Sequence, residues 1–173
     1  MDTDGSSGGA ERTPDGRYVV VNGRRWRATD PTIPEPLQKQ LVAELMRARR
    51  LVKSDGDSAR HRVQDAKVAL GERGHPWWEP RDEHADRERL AATICALLRE
   101  RNPSTICPSD AARVAGRDSW RDLMDAARSV AADLERSGHV VITQKGEPVD
   151  VKTARGPIRI APGPDLGQPR PSL

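Results

Sequence analysis

The chain has 173 residues, of which 35% are hydrophobic and 32% charged, with a formal net charge of +3. That length holds one ordinary domain or two small ones around a modest core, and so small a positive excess does not by itself demand a polyanionic partner. Two cysteines, Cys95 and Cys107, make no disulfide framework. No apolar stretch nears the roughly 20 residues of a membrane span, and no apolar run follows a basic N-terminal head, so a soluble, cytoplasmic protein is expected.

With no Phe and one Tyr, the four tryptophans Trp26, Trp77, Trp78 and Trp120 are the large aromatic anchors. Met1 to Pro14 and Pro162 to Leu173 are rich in Gly, Pro and Ser and are expected to be disordered tails. Between them the chain divides into a first module over 15–79, a polar linker over 80–85 and a second module over 86–161.

The first module opens with Tyr18-Val19-Val20-Val21, Asn22-Gly23 and Arg24-Arg25-Trp26-Arg27. Asn-Gly between two extended runs predicts a hairpin with a type I′ turn, since both residues tolerate positive φ. Val21 then opposes Arg24 and Val19 opposes Trp26. Val19, Val21 and Trp26 share the face expected to be core, and Tyr18, Val20, Arg25 and Arg27 share the other. Guanidinium groups beside an aromatic ring suit phosphate or base contact; the alternative is solvated arginines packed across the tyrosine.

A helix starting near Pro34 or Pro36 carries Leu37, Leu41, Leu45, Ala48 and Val52 on one face. A second, capped by Ser58, carries Ala59, Val63, Ala66 and Leu70. The short loop Ser54-Asp55-Gly56-Asp57 predicts that the pair packs antiparallel. Arg47 to Arg73 is the most basic window, which reads either as a polyanion-binding face or as a solvated one. Gly71 and Gly74 then stop the helix and deliver Trp77 and Trp78, read either as packing residues or as an exposed partner anchor.

The second module reads helix, short extended piece, helix, turn, long helix, strand, tip, strand. Leu90, Ala91, Ile94, Leu97 and Leu98 recur at helical spacing; Thr105-Ile106-Cys107 is extended; Pro108 suits a helix start. Ser119 begins a third helix whose stripe runs Trp120, Leu123, Met124, Ala127, Val130, Ala131, Leu134, until Gly138. Val140-Val141-Ile142-Thr143 and Ile158-Arg159-Ile160 are strands about a Lys145-Gly146 turn. This is the order of a winged helix. The expected fold class is α+β, mainly α: a β-hairpin with a helix pair, then three helices and a two-stranded wing. Trp120 is expected to lie buried between the first and third helices.

The motifs Ser104-Thr105-Ile106-Cys107-Pro108-Ser109, Trp120-Arg121-x-Leu123-Met124, Val141-Ile142-Thr143-Gln144-Lys145-Gly146 and Thr153-Ala154-Arg155-Gly156-Pro157-Ile158-Arg159 carry a resemblance. Asp86 to Ile160 is similar to an uncharacterised bacterial domain family with a winged-helix-like fold and no assigned activity. The resemblance implies that fold and no catalytic residue. Asn22-Gly23-Arg24-Arg25-Trp26-Arg27 with Ala66-Lys67-Val68-Ala69-Leu70-Gly71-Glu72-Arg73-Gly74 resembles a small family sometimes labelled as a biopolymer transporter.

In a winged helix that reads DNA, the third helix enters the groove. Here Arg117, Arg121, Arg128 and Arg136 are set against Asp118, Asp122, Asp125, Asp133 and Glu135, and acids face phosphates badly. The wing favours binding more: Lys145, Lys152, Arg155 and Arg159 face only Glu147 and Asp150, although Arg155 and Arg159 pairing with those acids is the alternative. The histidines and cysteines show no metal-ligand spacing; Cys95 reads as a core residue and Cys107 as a residue near a helix N-cap. No nucleophile–base pair appears, and no cofactor or small molecule is implied. The expectation is a non-enzymatic nucleic-acid-binding protein contacting its ligand through Arg25, Arg27, Arg117, Arg121, Lys145, Lys152, Arg155 and Arg159. The alternative is a protein–protein adaptor anchored by Trp77 and Trp78.

Overall fold

The computed structural model describes residues 10–173, so residues 1–9 of the expected N-terminal tail lie outside it. The fold is α+β and about half helical. An N-terminal sheet holds β1 (Glu11–Arg12), β2 (Tyr18–Val21) and β3 (Arg24–Arg27) in the order β1-β2-β3. Asn22 and Gly23 take φ of 50° and 73°, so the tight turn forms and sets Val19 opposite Trp26 and Val21 opposite Arg24. β1 pairs Glu11 with Val20 and Arg12 with Val19, so order begins before the hairpin, inside the stretch read as a tail.

Three helices follow: α1 (Glu35–Asp55), α2 (Arg60–Ala69) and α3 (Glu83–Arg101). Pro36 sits in the first turn of α1, and Leu37, Leu41, Leu45 and Ala48 are buried along one side. A 3₁₀ turn, Gly56–Ala59, precedes α2. Ser58 does not cap that helix; its hydroxyl donates back to Asp55 O (2.9 Å), and Ala59 stands at the cap position. Asp82 caps α3 by accepting from Ala85 N, so the stretch read as a linker is the start of a helix.

α3 is buried without interruption from Leu90 to Arg99. A helix apolar on all sides is enclosed on all sides, here by α1 and α2 on one flank and α4 (Pro108–Gly116) and α5 (Met124–Arg136) on the other. Leu41, Leu70, Leu97, Ile106, Leu134 and Ile160 accordingly belong to one core. The two modules expected from the sequence are thus joined through α3. Ion pairs reinforce the join: Arg89 reaches buried Asp30 (2.9 Å), and Arg47 reaches Glu100 (2.9 Å).

Cys107 caps α4 in a reciprocal arrangement with Asp110, whose Oδ2 accepts from Cys107 N (3.1 Å). The third helix is shorter than its stripe implies: Arg117–Leu123 is 3₁₀, and α5 begins at Met124. Ser119 donates to Gly116 O (3.2 Å) and caps nothing. Trp120 therefore sits at the edge of the core rather than inside it. It is half-buried, with Arg113 and Arg121 4.7 and 4.5 Å from its ring, while Leu123 takes the core position.

β4 (Val140–Gln144) pairs antiparallel with β5 (Glu147–Pro148) and with β6 (Arg159–Pro162). Ile106 adds an antiparallel bridge to Ile160, with both N–H···O bonds at 2.9 Å. The C-terminal stretch read as disordered is seated on the helices. Gly163 N and Asp165 N donate to His139 O and Gly138 O (2.9 Å each), and Leu166 is buried. Arg170 pairs with Asp65 (2.9 Å) and Glu88 (3.1 Å). Composition misleads here because buried charges and backbone carbonyls hold the segment, together with only two apolar side chains, Leu166 and Leu173.

Candidate nucleic-acid interface

The hairpin presents its faces in the reverse of the expected sense. Val21 is 43% and Trp26 46% exposed, so the face read as core is open. The opposite face turns toward the loop after α2: Arg25 lies over Tyr18 (4.2 Å), and Tyr18 packs on Trp78 (5.5 Å). Arg27 donates to Gly74 O (2.8 Å) and stands 5.6 Å from the Trp78 ring, and Arg17 approaches the same ring at 5.2 Å.

The loop adopts this shape because Gly71 and Gly74 have φ of 79° and 76°. A Cβ on Gly71 would meet Trp77 Cδ1 at 3.0 Å and Asp30 Cβ at 3.1 Å, so the chain passes closely over the Trp77 ring. Trp77 Nε1 donates to Ala28 O (3.0 Å), and the two tryptophan rings meet edge to face at 5.2 Å. Both are half-buried and spend their rings on the hairpin and on each other.

On the open face, Arg24 lies 5.1 Å and Lys67 of α2 5.6 Å from the Trp26 ring. Burial, followed by the charge of Arg73, holds the Lys67 ammonium below its ordinary range; Glu72 opposes this and Arg49 adds to it. Cations are thus crowded around an exposed indole. Sequence reasoning missed Arg24 because it assigned this hairpin face to the core, and it covered Lys67 only as one residue of the basic Arg47 to Arg73 window.

Arg117 has a φ of 53° and a side chain directed inward, 3.9 Å from Asp30 and 5.8 Å from the Trp77 ring. Its Nε and Nη2 are buried without a hydrogen-bond partner among the described residues. Arg121 is exposed and stacked on Trp120. Lys145 (φ 52°) and Gly146 form the turn between β4 and β5, and Lys145, Lys152 and Arg155 are all exposed. Among the described residues none of these three enters an ion pair, and neither do Arg24, Arg49 and Lys67.

Arg159 instead donates from Nε to Thr105 Oγ1 (3.0 Å) and from Nη2 to Thr105 O (3.1 Å), tying β6 to the extended piece before α4. Arg128 donates to Gly156 O (3.3 Å) and Ala154 O (3.2 Å), so α5 braces the loop between β5 and β6. Asp150 accepts from Lys152 N (2.8 Å), a local turn rather than a pair with an arginine.

A cavity of about 310 Å³ lies between the 71–77 loop and the start of α3, lined in part by Val68, His75, Trp77, Arg81, His84 and Asp86. Burial raises the Asp86 carboxyl above its ordinary value, opposed by Arg81 at 3.4 Å. Its arginines are spent on protein acceptors: Arg81 on Ala115 O, and Arg89 on Asp30 and Ala69 O. Among the described residues no group of three or more His, Cys, Asp or Glu is placed to hold a metal ion, and no helix is long and apolar enough to cross a membrane.

Residues 87–162 match the family described as protein of unknown function (DUF3253). That span runs from α3 through β6, so the second part of the chain carries a DUF3253 domain. No curated protein matches the chain.

Proposed function

We propose that this is a non-enzymatic nucleic-acid-binding protein in which α3 to β6 form a winged helix whose wing lies on a phosphate backbone. The observation that carries the reading is the wing itself: Lys145, Lys152 and Arg155 stand exposed and, among the described residues, enter no ion pair, whereas Arg87, Arg99 and Arg101 in the helices are tied to carboxylates. Free cations at a projecting turn suit phosphate contacts, which position a protein on a duplex without reading its sequence. The order helix, extended bridge, helix, helix, strand, strand, with Ile106 pairing to β6, supports the fold assignment.

α5 is poorly suited to enter a groove. Asp133 takes both Arg87 and Arg136, and Arg128 is spent on the wing. Binding through the wing is therefore expected to tolerate sequence changes. At low salt, the folded protein should retard mixed duplexes in a mobility-shift assay at micromolar concentration. Lys145→Gln with Arg155→Gln should reduce the slope of log K against log salt by about 0.9 for each cation removed. A folded protein that shifts neither duplex nor RNA ends this reading. The alternating charge of Arg121, Asp122 and Asp125 on the exposed side favours the second reading, a protein–protein adaptor; partners recovered by affinity purification and retained after nuclease treatment would support it.

A further inference from the structure

The open face of the N-terminal sheet is built differently from the wing. Register places Arg12 beside Val19 and Trp26, with Val21 and Arg24 in the next row. Lys67 approaches the same indole from α2, and Arg73 and Arg49 lie near enough to act on its charge. Among the described residues the carboxylate that acts on Lys67 is Glu72, and its Oε1 accepts the Thr29 hydroxyl (2.9 Å). Arg73 donates from Nη1 to Gln64 Oε1 (2.7 Å) and among the described residues enters no ion pair. An exposed aromatic ring beside cations that enter no ion pair among the described residues offers a stacking surface and positive charge together, which suits a flat, anionic ligand.

We propose that this face is a second nucleic-acid site, specific for single strands, in which a base stacks on Trp26 while Arg24 and Lys67 hold the flanking phosphates. The inference rests on the nucleic-acid reading above but uses other residues and another form of the ligand. A duplex hides the faces of its bases, so a stacking ring serves only an unpaired strand. Stacking on an indole together with contacts to the backbone gives binding that tolerates sequence, because every base has a π-face. Arg24 is exposed and long, so its guanidinium can leave the ring for a phosphate as the base arrives.

The test uses the full chain and a fluorescein-labelled oligothymidylate of about 15 nucleotides, a length that spans the site sizes of such surfaces, read by anisotropy. Trp26→Ala should weaken binding about tenfold. Arg24→Gln with Lys67→Gln should lower the salt slope by about 0.7 for each cation removed. These variants should melt with the parent and keep duplex binding, since all three side chains are exposed or half-exposed. The wing variant should behave in the opposite way, losing duplex and keeping oligothymidylate. Unchanged oligothymidylate affinity in the Arg24/Lys67 variant overturns the second site, and the nucleic-acid reading stands if duplex still binds. Polyglutamate competing as well as oligothymidylate also overturns it, since the face would then take any polyanion. Absence of binding to every nucleic acid overturns both.

Discussion

Gly163 is the residue whose side chain the fold accommodates least. A Cβ there would lie 2.4 Å from Gly138 O and 2.7 Å from His139 C and Val140 N, all backbone atoms that cannot swing aside. Gly163→Ala should cost about 3 kcal/mol as an overpacking change, lowering Tm by roughly 6–12 °C in a chain of this size. A calorimetric Tm within a degree or two of the parent would show that this crossing is loose. Trp120 is the opposite case. A fully buried Trp truncated to Ala loses about 3–5 kcal/mol, but this ring is half-buried between two guanidinium groups. Trp120→Ala should therefore cost about 2 kcal/mol, and Leu123→Ala, at the buried position next to it, should cost at least as much by urea denaturation.

The C-terminal segment is the element that docks through a charge network reaching the interior. Arg99 donates to Asp65 (2.7 Å) and to Leu166 O (2.9 Å), and Arg170 reaches Asp65 from the segment itself. Asp65→Ala would leave the buried Arg99 guanidinium with no carboxylate and Arg170 with Glu88 alone, and should cost about 3–5 kcal/mol, measurable by urea denaturation; a loss below about 1 kcal/mol would place the network in solvent. His61 adds a pH dependence. Its Nε2 donates to Gly167 O (2.9 Å), and burial followed by the Arg99 charge lowers its pKa from the ordinary 6.5. A lowered folded value means that the unfolded chain binds the proton more readily. The stability gained from neutral His61 is fully present above 6.5 and is lost as pH falls through the folded value. Tm should drop between about pH 7.5 and about pH 5.5, and His61→Gln should flatten that part of the curve. An equally steep fall in His61→Gln would assign the titration to another group.

At the scale of the whole molecule, α3 decides cooperativity. Its continuous burial from Leu90 to Arg99 needs α1 and α2 as much as α4 and α5. The chain should unfold in one transition, with calorimetric and van't Hoff enthalpies equal. A fragment beginning at residue 80 should expose the flank of α3 that α1 and α2 cover and bind a hydrophobic dye. Two separated transitions, or a fragment as stable as the parent, would restore the two-module division.

Local patterning read most elements correctly, and for local reasons. Asn22-Gly23 specified its turn and hence the hairpin register, Pro36 and Pro108 marked helix starts, and Leu37, Leu41, Leu45 and Ala48 marked a buried side. Each signal rests on φ preference or side-chain period, which neighbours in the chain determine. The side of the hairpin that faces water is different in kind. An alternating strand offers two faces, and the partner available to cover one decides the outcome; the Trp77–Trp78 loop covers the Tyr18 face and leaves Trp26 open. Trp120 fell outside its stripe because the 3₁₀ stretch Arg117–Leu123 breaks the α period that the stripe assumed. The C-terminal segment was illegible for the same reason as the wing's free cations: whether a charge is buried, paired or free depends on residues distant in sequence. Asp65 lies 105 positions from Arg170, and no local pattern connects them. The turns, helices and apolar sides came from the order of residues, whereas the candidate interface and the closing of the C-terminus came from contacts that only folding creates.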